Sequence, residues 1–258
     1  MVSTKRLILA AVLFCSPVGF PQTAQSLLDS PLKTTAPAPP ATPLDPEHRA
    51  DILMARKMYR EAVEVYKEGP LDSAIIWNKI GIAYHQMLQL DTAKRNYEKA
   101  IKLNPEYSEA INNVGTVYYA HKNYRKAISH YKKALKLSPN SASVYSNLGT
   151  AYFARKKYKE AAQAYQTALS LDKDVFEHHG SYGVLLEERS VEERAKFHFY
   201  LAQTYAKAGM NDRALQYIRK ALEEGFKERK KLMENPEFEG LRELPEFQEL
   251  MALEPRVL

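Results

Sequence analysis

The chain has 258 residues, of which 45% are hydrophobic and 26% are charged, an ordinary composition for a globular protein that can form either one elongated domain or two small ones. Its formal net charge of +6 permits an anionic partner but does not require one. The only cysteine is Cys15, which excludes an intramolecular disulfide and a metal site built from several thiolates.

The N-terminal residues have the layout of an export signal. Lys5 and Arg6 precede an apolar run from Leu7 to Cys15, and small and polar residues follow. This run is too short to span a bilayer as a helix. We therefore expect residues 1–26 to be removed by cleavage between Gly19 and Ser26, with an uncleaved membrane anchor as the alternative. The mature chain would then be periplasmic or extracellular and would have no transmembrane helix.

Cys15 raises the alternative of a lipoprotein. Acylation of a cysteine needs a small residue just before it, and Phe14 stands there. Cleavage after Cys15 would leave the mature chain without cysteine, so that its stability would have to come from packing.

Residues 27–46 are predicted to be a disordered, proline-rich linker. The segment PLKTTAPAPPATPLDP has prolines at six positions and little apolar material. In a polyproline conformation it would extend roughly 50 Å. A spacer is the favoured interpretation, and a ligand for a groove on another protein is the alternative.

A repeat of 34 residues follows the linker. Residues of one type recur at this spacing in five registers: Gly81, Gly115, Gly149; Tyr84, Tyr118, Tyr152; Ala93, Ala127, Ala161; Tyr97, Tyr131, Tyr165; and Ala100, Ala134, Ala168. Within each unit, apolar and small residues at i, i+3, i+4 and i+7 form one helical stripe, and a second stripe follows. Each unit is therefore predicted to be a helical hairpin.

The small residues are expected to lie where the two helices of a hairpin approach each other. We expect Gly149 to face Ala161, with tyrosines such as Tyr165 filling the wider gaps on either side. Pro105 and Pro139 follow two of the second helices and should end them.

The pattern W-x-x-I-G-x-x-Y, followed by A-x-x-x-Y and a proline, as in residues 74–107, resembles the tetratricopeptide repeat family. The resemblance covers units 74–107, 108–141 and 142–175, although the last unit has Lys173 in place of the proline. Weaker units flank them on both sides. The resemblance implies an all-α solenoid of about five repeats, two of them degenerate, over residues 47–228.

Two segments depart from the repeat. Residues 176–194 are an insert, near whose end Ser190 and Glu193 have the spacing of a capping box that should begin the next helix. Residues 229–258 are predicted to be a helical C-terminal cap, in which Asn235 precedes Pro236 as N-cap and first helical residue. A partner-binding tail is the alternative for this last segment.

The resemblance also implies a binding groove lined by the first helices. Carrying over the family's groove positions gives a set of amide, hydroxyl and aromatic side chains as candidate partner-binding residues: Asn78, Asn112, Asn113, Thr116, Tyr119, Asn147, Thr150 and Phe153. Amides and hydroxyls suit an extended peptide backbone. Asn113 and Asn147 are similar to the asparagine ladder in the repeat domains of O-linked N-acetylglucosamine transferases. The carboxylate clamp of the chaperone-binding members is rejected, since only Asn113 matches it.

Sequence motifs for catalysis or metal binding are missing. The His178–His179 pair has no acidic residue or cysteine at a helical ligand spacing, and no phosphate-binding loop or nucleophile motif occurs. Basic residues recur on the second helices without interleaved aromatics, which disfavours a nucleic-acid partner. We expect no enzyme activity, no cofactor and no metal.

The sequence thus predicts a non-catalytic protein-interaction scaffold of the cell envelope that binds an extended peptide or partner segment in its groove. The alternatives are a structural subunit of an envelope assembly and a binder of anionic envelope polymers through a basic convex face. The identity of the partner and the oligomeric state are not encoded in a recognisable motif.

Overall fold

A computed structural model describes residues 44–177 and 190–252, and every regular element within these ranges is helical, which confirms the all-α prediction. The elements are α1 (Pro46–Ala55), α2 (Tyr59–Lys67), α3 (Ala74–Gln86), α4 (Leu90–Leu103), α5 (Ser108–Ala120), α6 (Tyr124–Leu137), α7 (Ala142–Ala154), α8 (Tyr158–Leu171), α9 (Val191–Lys207), α10 (Asn211–Glu223), α11 (Arg229–Glu234), a 3₁₀ helix (Pro236–Leu241) and α12 (Pro245–Ala252). The export-signal prediction and the His178–His179 pair lie outside the described residues. Within residues 44–177 and 190–252, no helix is long and apolar enough to cross a membrane.

The first ten helices pair in sequence order as five hairpins, and the second helix of each hairpin packs on the first helix of the next. The three central hairpins have identical helix lengths, 13 residues and then 14. Their first helices begin at residues 74, 108 and 142, where the 34-residue repeat places its unit boundaries. The second helices α4 and α6 end at Leu103 and Leu137, two residues before Pro105 and Pro139.

The turn inside each hairpin ends the first helix with one residue in the left-handed region. These residues are Lys57, Leu88, Lys122, Lys156 and Gly209, with φ of 61°, 59°, 57°, 60° and 74°. In each turn two backbone bonds satisfy helix carbonyls, as when Lys122 N–H donates to Tyr119 O (2.8 Å) and Asn123 N–H donates to Tyr118 O (2.8 Å). This Schellman arrangement ordinarily uses glycine at its left-handed position, and only the fifth hairpin has one there.

The glycine and the tyrosine that recur in each repeat of this chain do so because they pack against each other. A Cβ built on Gly149 would lie 2.5 Å from the ring of Tyr165, and the same conflict would arise between Gly81 and Tyr97 and between Gly115 and Tyr131. The three atoms nearest to a Cβ built on Gly149 all belong to the Tyr165 ring, and at the equivalent Gly81 the backbone oxygen of Ala93 lies 3.2 Å from such a Cβ. The expected approach of Gly149 to Ala161 itself stays a prediction. A fully buried ring lying on the backbone of the first helix leaves no room for a side chain at this position.

The C-terminal segment covers the last hairpin. Helix α9 begins after the predicted cap, Ser190, whose Oγ accepts a hydrogen bond from Glu193 N–H (3.2 Å). The buried rings of Phe238 and Phe247 join the same core cluster as Phe199 and Phe226 of the fifth hairpin. The helical cap thus removes from water an apolar surface that the repeat would otherwise expose at its end.

Candidate functional site

All eight side chains predicted to contact a partner are buried. The exposed fraction of Asn78, Asn112, Asn113 and Asn147 is 1–3%, and that of the two threonines and two aromatic residues is 5–8%. They lie where consecutive first helices approach one another. Contact between these residues and a partner stays a prediction, which has to account for this burial.

The four asparagines form one continuous row of hydrogen bonds that joins α3, α5 and α7. Asn147 Nδ2 donates to Asn112 Oδ1 (3.1 Å), and Asn112 Nδ2 donates to Asn113 Oδ1 (3.2 Å). Asn113 Nδ2 then donates to Asn78 Oδ1 (3.0 Å). We call this row the asparagine ladder. A buried amide is tolerated only when it is hydrogen-bonded, and here each amide stabilises the next.

The carboxylate of Glu109 terminates the asparagine ladder at its N-terminal end. Asn78 Nδ2 donates to Glu109 Oε1 (3.1 Å) and to Tyr107 Oη (3.4 Å), and Tyr107 Oη donates to Glu109 Oε2 (3.2 Å). Because a carboxylate can only accept, Asn78 must turn its NH₂ toward Glu109 and its oxygen toward Asn113. Each asparagine in turn fixes the orientation of the next one, so the orientation of every amide in the row follows from Glu109.

An ion pair continues the polar contacts from α3 to α1. Lys79, which neighbours Asn78, places Nζ 2.7 Å from Glu47 Oε1 and 2.7 Å from Asp51 Oδ2. Burial by itself would lower the pKa of Lys79, but its hydrogen bonds to Asp51 and Glu47 outweigh this effect and raise the pKa. Polar contacts between first helices therefore run from α1 to α7.

The remaining predicted residues make contacts within their own repeats or with the next one. Thr116 Oγ1 donates to Asn113 O (2.7 Å), and Thr150 Oγ1 donates to Ser146 O (2.9 Å). The ring of Tyr119 packs on Tyr124 with centroids 5.1 Å apart. Phe153 makes edge-on contacts with three rings of the same and the following hairpin: Tyr158 (5.5 Å), Phe197 (5.5 Å) and Tyr200 (5.7 Å).

An open cavity of about 540 Å³ lies beside the asparagine ladder, at the N-terminal ends of α5 and α7. Apolar atoms make up the larger part of its exposed lining, but most of the lining residues carry a hydroxyl or amide group and one carries a carboxylate: Ser108, Glu109, Asn112, Ser138, Pro139, Asn140, Ser141, Ser143 and Val144. Asn112 and Glu109 belong both to this wall and to the ladder. The cavity therefore brings accessible polar groups next to the buried row.

Sequence reasoning missed several of these groups. Tyr107, Ser108 and Ser138 were not identified, although Ser108 Oγ and Ser138 Oγ lie 2.7 Å apart. The signal available was their position in the repeat, since Ser138 is the C-cap of α6, in the turn between two repeats, and Ser108 is the first residue of α5. Glu109 and Ser143 lie at the second position of their repeat units, which the family resemblance places in the groove, although neither is among the eight candidates.

Several lysines of the second helices lie over aromatic rings. Lys99 Nζ lies 3.9 Å from the centroid of the Trp77 ring, and Lys132 Nζ lies 5.8 Å from that of Tyr152. Lys94 and Lys126 both approach the Tyr118 ring, at 5.4 and 5.2 Å. These cations already have a structural role in holding neighbouring helices together.

Among the described residues, no group of three or more histidine, cysteine, aspartate and glutamate side chains is arranged to hold a metal ion.

Comparison with protein-family models finds tetratricopeptide repeats along most of the described chain. Residues 74–107 and 142–175 match a model described as a tetratricopeptide repeat, residues 115–154 match one described as a TPR repeat, and residues 195–224 match a further tetratricopeptide repeat model. A comparison with curated proteins finds no match.

Solved structures of repeat proteins resemble the chain at low identity. A structure of MamA is 20% identical, covers 70% of this chain and 96% of its own, and gives a TM-score of 0.46. MamA residues 41 to the end from Desulfovibrio magneticus RS-1 gives 20% identity, coverage of 69% and 92%, and a TM-score of 0.47. YrrB, described as a TPR protein with an unusual peptide-binding site, is 18% identical; the match covers 73% of this chain and 89% of YrrB, with a TM-score of 0.45. Likenesses at this level support no statement about function.

Proposed function

Because the chain belongs to the tetratricopeptide repeat family, whose members are typically non-catalytic protein-interaction scaffolds, we propose that it binds an extended segment of a partner protein along its first helices. One observation carries this proposal. A cavity that offers hydroxyl and amide groups adjoins the asparagine ladder, which crosses three repeats.

The hydroxyl and amide groups of the cavity lining suit a peptide backbone. Serine hydroxyls and the Asn140 amide can each donate and accept, as the alternating N–H and C=O groups of an extended chain require. Glu109 is the only charged residue of the lining, and its oxygens already accept bonds from Asn78 and Tyr107. The partner segment is therefore expected to be bound mainly through its backbone.

Because the asparagines are buried, their contribution to binding a partner differs from that of exposed groove residues. Each NH₂ group has two N–H bonds, and Asn112, Asn113 and Asn147 each direct one of them to the next asparagine. We propose that the ladder fixes the spacing of the first helices, and that the partner enters at the cavity and reaches the ladder from there. The eight predicted residues then act as the floor beneath the partner, and the cavity wall provides the first contact.

The test replaces Ser143, an exposed residue of the cavity wall, with tryptophan. A tryptophan there is expected to fill the entrance of the cavity. Peptides selected from a random library on the wild-type chain should bind the Ser143→Trp variant at least tenfold more weakly, as measured by fluorescence anisotropy.

The matched control is Ser129→Trp, which places the same side chain at an exposed serine of the second helix α6. It should leave peptide affinity unchanged within about twofold. Equal affinity of both variants and the wild type would show that the partner binds elsewhere, and failure to select any peptide from the library would contradict the peptide-binding proposal.

We also propose that the chain acts in the cell envelope after export, on the strength of the sequence of residues 1–26. The N-terminus of the protein isolated from its own cells, read by mass spectrometry, should lie between residues 20 and 27. Recovery of an intact N-terminus from the cytosolic fraction would contradict this location.

A further inference from the structure

Two neighbouring hairpin turns, with the first residues of the helices that follow them, are strongly basic. Residues 121–126 contain three cations and no carboxylate, and residues 155–160 contain four cations and one carboxylate. Each segment therefore has a formal charge of +3.

Most of these cations face solvent without a carboxylate. Among residues 44–177 and 190–252, Lys122, Arg125 and Lys156 have no ion-pair partner. Lys157 pairs with Glu160 at 2.9 Å, and His121 Nε2 lies 3.4 Å from Asp91 Oδ1. An uncompensated cluster of this kind raises the local potential and attracts an anionic surface.

The two preceding turns add exposed apolar side chains at the same edge. Leu88 occupies the left-handed position equivalent to Lys122 and Lys156, and it is the most exposed large hydrophobic residue among those described, at 71%. Met58 and Ile52, at the first turn, are 40% and 41% exposed. We call this row of turn tips, residues 52–58, 87–89, 121–126 and 155–160, the turn edge.

Leu88 is unfavourable for the folded state on two counts. Glycine adopts a positive φ without steric cost, as Gly209 does at the equivalent place of the fifth hairpin, whereas leucine does not. The exposed leucine side chain also gains nothing from burial. A strained, exposed apolar residue among cations is what a surface that contacts something else would contain.

We propose that the turn edge docks on an anionic lipid bilayer, with the cations near the head groups and Leu88 inserted at the interface. Basic residues interspersed with exposed apolar tips are the composition of peripheral membrane surfaces. A single-stranded nucleic acid would need free aromatic faces for base stacking. The tyrosines of these turns are engaged, since Tyr158 stacks on Tyr200 at 4.7 Å and Tyr124 packs on Tyr119 at 5.1 Å.

The turn edge is separate from the proposed peptide site. Ser108 begins α5, and Lys122 lies two residues after its last residue, Ala120, so the two surfaces lie at opposite ends of 13-residue helices, roughly 20 Å apart at 1.5 Å per residue. A chain could therefore hold a partner segment while docked on a membrane, and loss of one activity need not remove the other.

The experiment measures binding of the full chain to vesicles of phosphatidylglycerol and phosphatidylcholine, with pure phosphatidylcholine vesicles for comparison. We expect binding to the anionic vesicles that weakens with salt. The Lys122→Glu/Lys156→Glu variant should bind them at least about tenfold more weakly. Leu88→Gln should reduce binding about fivefold and should leave the dependence on salt unchanged.

Matched controls lie at the opposite edge. Lys102→Glu/Lys136→Glu changes the net charge by the same amount as Lys122→Glu/Lys156→Glu does. Leu103→Gln is the control for Leu88→Gln, since Leu103 is also exposed, at 46%. Residues 1–43 are identical in all chains compared, so any lipid affinity of that segment is common to them. Circular dichroism establishes that each variant is folded.

Two outcomes would overturn the proposal. One is that the turn-edge variants bind anionic vesicles as well as their controls do. The other is that the turn-edge lysines are needed for binding to a single-stranded oligonucleotide and not for binding to vesicles, which would make the turn edge a nucleic-acid surface.

Discussion

Four tyrosines at equivalent places of the second helices differ in what their hydroxyl groups contact. Tyr66 Oη donates to Asp51 (2.5 Å), Tyr97 Oη lies 3.4 Å from His85 Nδ1, and Tyr165 Oη donates to Thr150 Oγ1 (3.3 Å). The hydroxyl of Tyr131 is buried, and within the described ranges no group lies at hydrogen-bonding distance from it. Burial raises the pKa of Tyr131 well above its ordinary value.

This difference predicts opposite effects of one substitution at two equivalent sites. Tyr131→Phe removes an unsatisfied hydroxyl and should raise the free energy of unfolding by about 1 kcal/mol, whereas Tyr165→Phe breaks a hydrogen bond and should lower it by about 1 kcal/mol. Urea denaturation of both variants measures the change. Equal destabilisation of the two would mean that Tyr131 has a partner in solution.

His85 should make the stability depend on pH. Burial lowers the pKa of His85 below its unfolded value of 6.5. The unfolded chain therefore binds a proton more readily, so the contribution of neutral His85 is complete above pH 6.5 and decreases as the pH falls below that value. His85→Gln should flatten the change in unfolding free energy between pH 7.5 and pH 5. An unaltered slope would assign the pH dependence to other groups.

The sequence was most informative about the positions of individual helices. A helical hairpin is a local structure whose interface recurs every 34 residues, so spacing alone located α3, α5 and α7 at residues 74, 108 and 142. Spacing shows which residues share a face of a helix, but not how far apart two helices lie. It therefore missed that Gly149 accommodates the Tyr165 ring.

The same limit applied to the candidate site. The resemblance placed Asn113 and Asn147 on the face of their helices toward the groove, but the distance between neighbouring first helices determines whether that face is open. The amides satisfy one another across that distance, and they are consequently buried. The hydrogen bonds of Tyr107 and Glu109 with Asn78 likewise depend on how closely neighbouring first helices approach one another. A sequence pattern does not contain that distance.

Within a hairpin, Gly115→Ala should destabilise the fold although alanine favours helix formation. The new Cβ would lie 2.6 Å from a carbon of the Tyr131 ring, which is fully buried and has no room to move. Overpacking costs about 1–3 kcal/mol, which exceeds the helix-propensity gain of about 1 kcal/mol. The difference predicts that the unfolding free energy measured by urea denaturation falls by about 1 kcal/mol, and by at most about 2 kcal/mol.

Gly240→Ala is the control, because nothing lies within 4 Å of a Cβ built there. Its effect should stay within about 0.5 kcal/mol of the wild type. A neutral or stabilising Gly115→Ala would show that the Tyr131 ring can shift at little cost, and the packing reason for the recurring glycine would then fail.

On the scale of the whole described unit, the core is divided into four clusters, each of which joins neighbouring hairpins. The largest combines buried residues of the fourth and fifth hairpins with the C-terminal segment. Stability in such a molecule is approximately a sum of the terms for each repeat and for its contacts with its neighbours. A change at one end should therefore affect distant hairpins little.

Phe238→Ala tests this. Phe238 is fully buried and meets Phe199 edge-on, with ring centroids 5.9 Å apart. Truncation of Phe238 should lower the free energy of unfolding of the surrounding hairpin by about 3–5 kcal/mol. Amide hydrogen exchange should speed up in α9 and α10 and change little in α3 and α4. Met233→Ala, at a residue that is 48% exposed, should alter neither region. Uniform acceleration along the chain would indicate one cooperative unit.

The carboxylate at one end of the asparagine ladder gives the row a polarity. Every amide donates toward Glu109, so the carbonyl oxygen of Asn147 is left as the acceptor terminus of a hydrogen-bond chain whose members polarise one another. Under the proposed peptide-binding function, an N–H of the bound segment would be favoured at this oxygen over a C=O. Such an acceptor would set the register of a polypeptide strand laid across the molecule, whatever its side chains are.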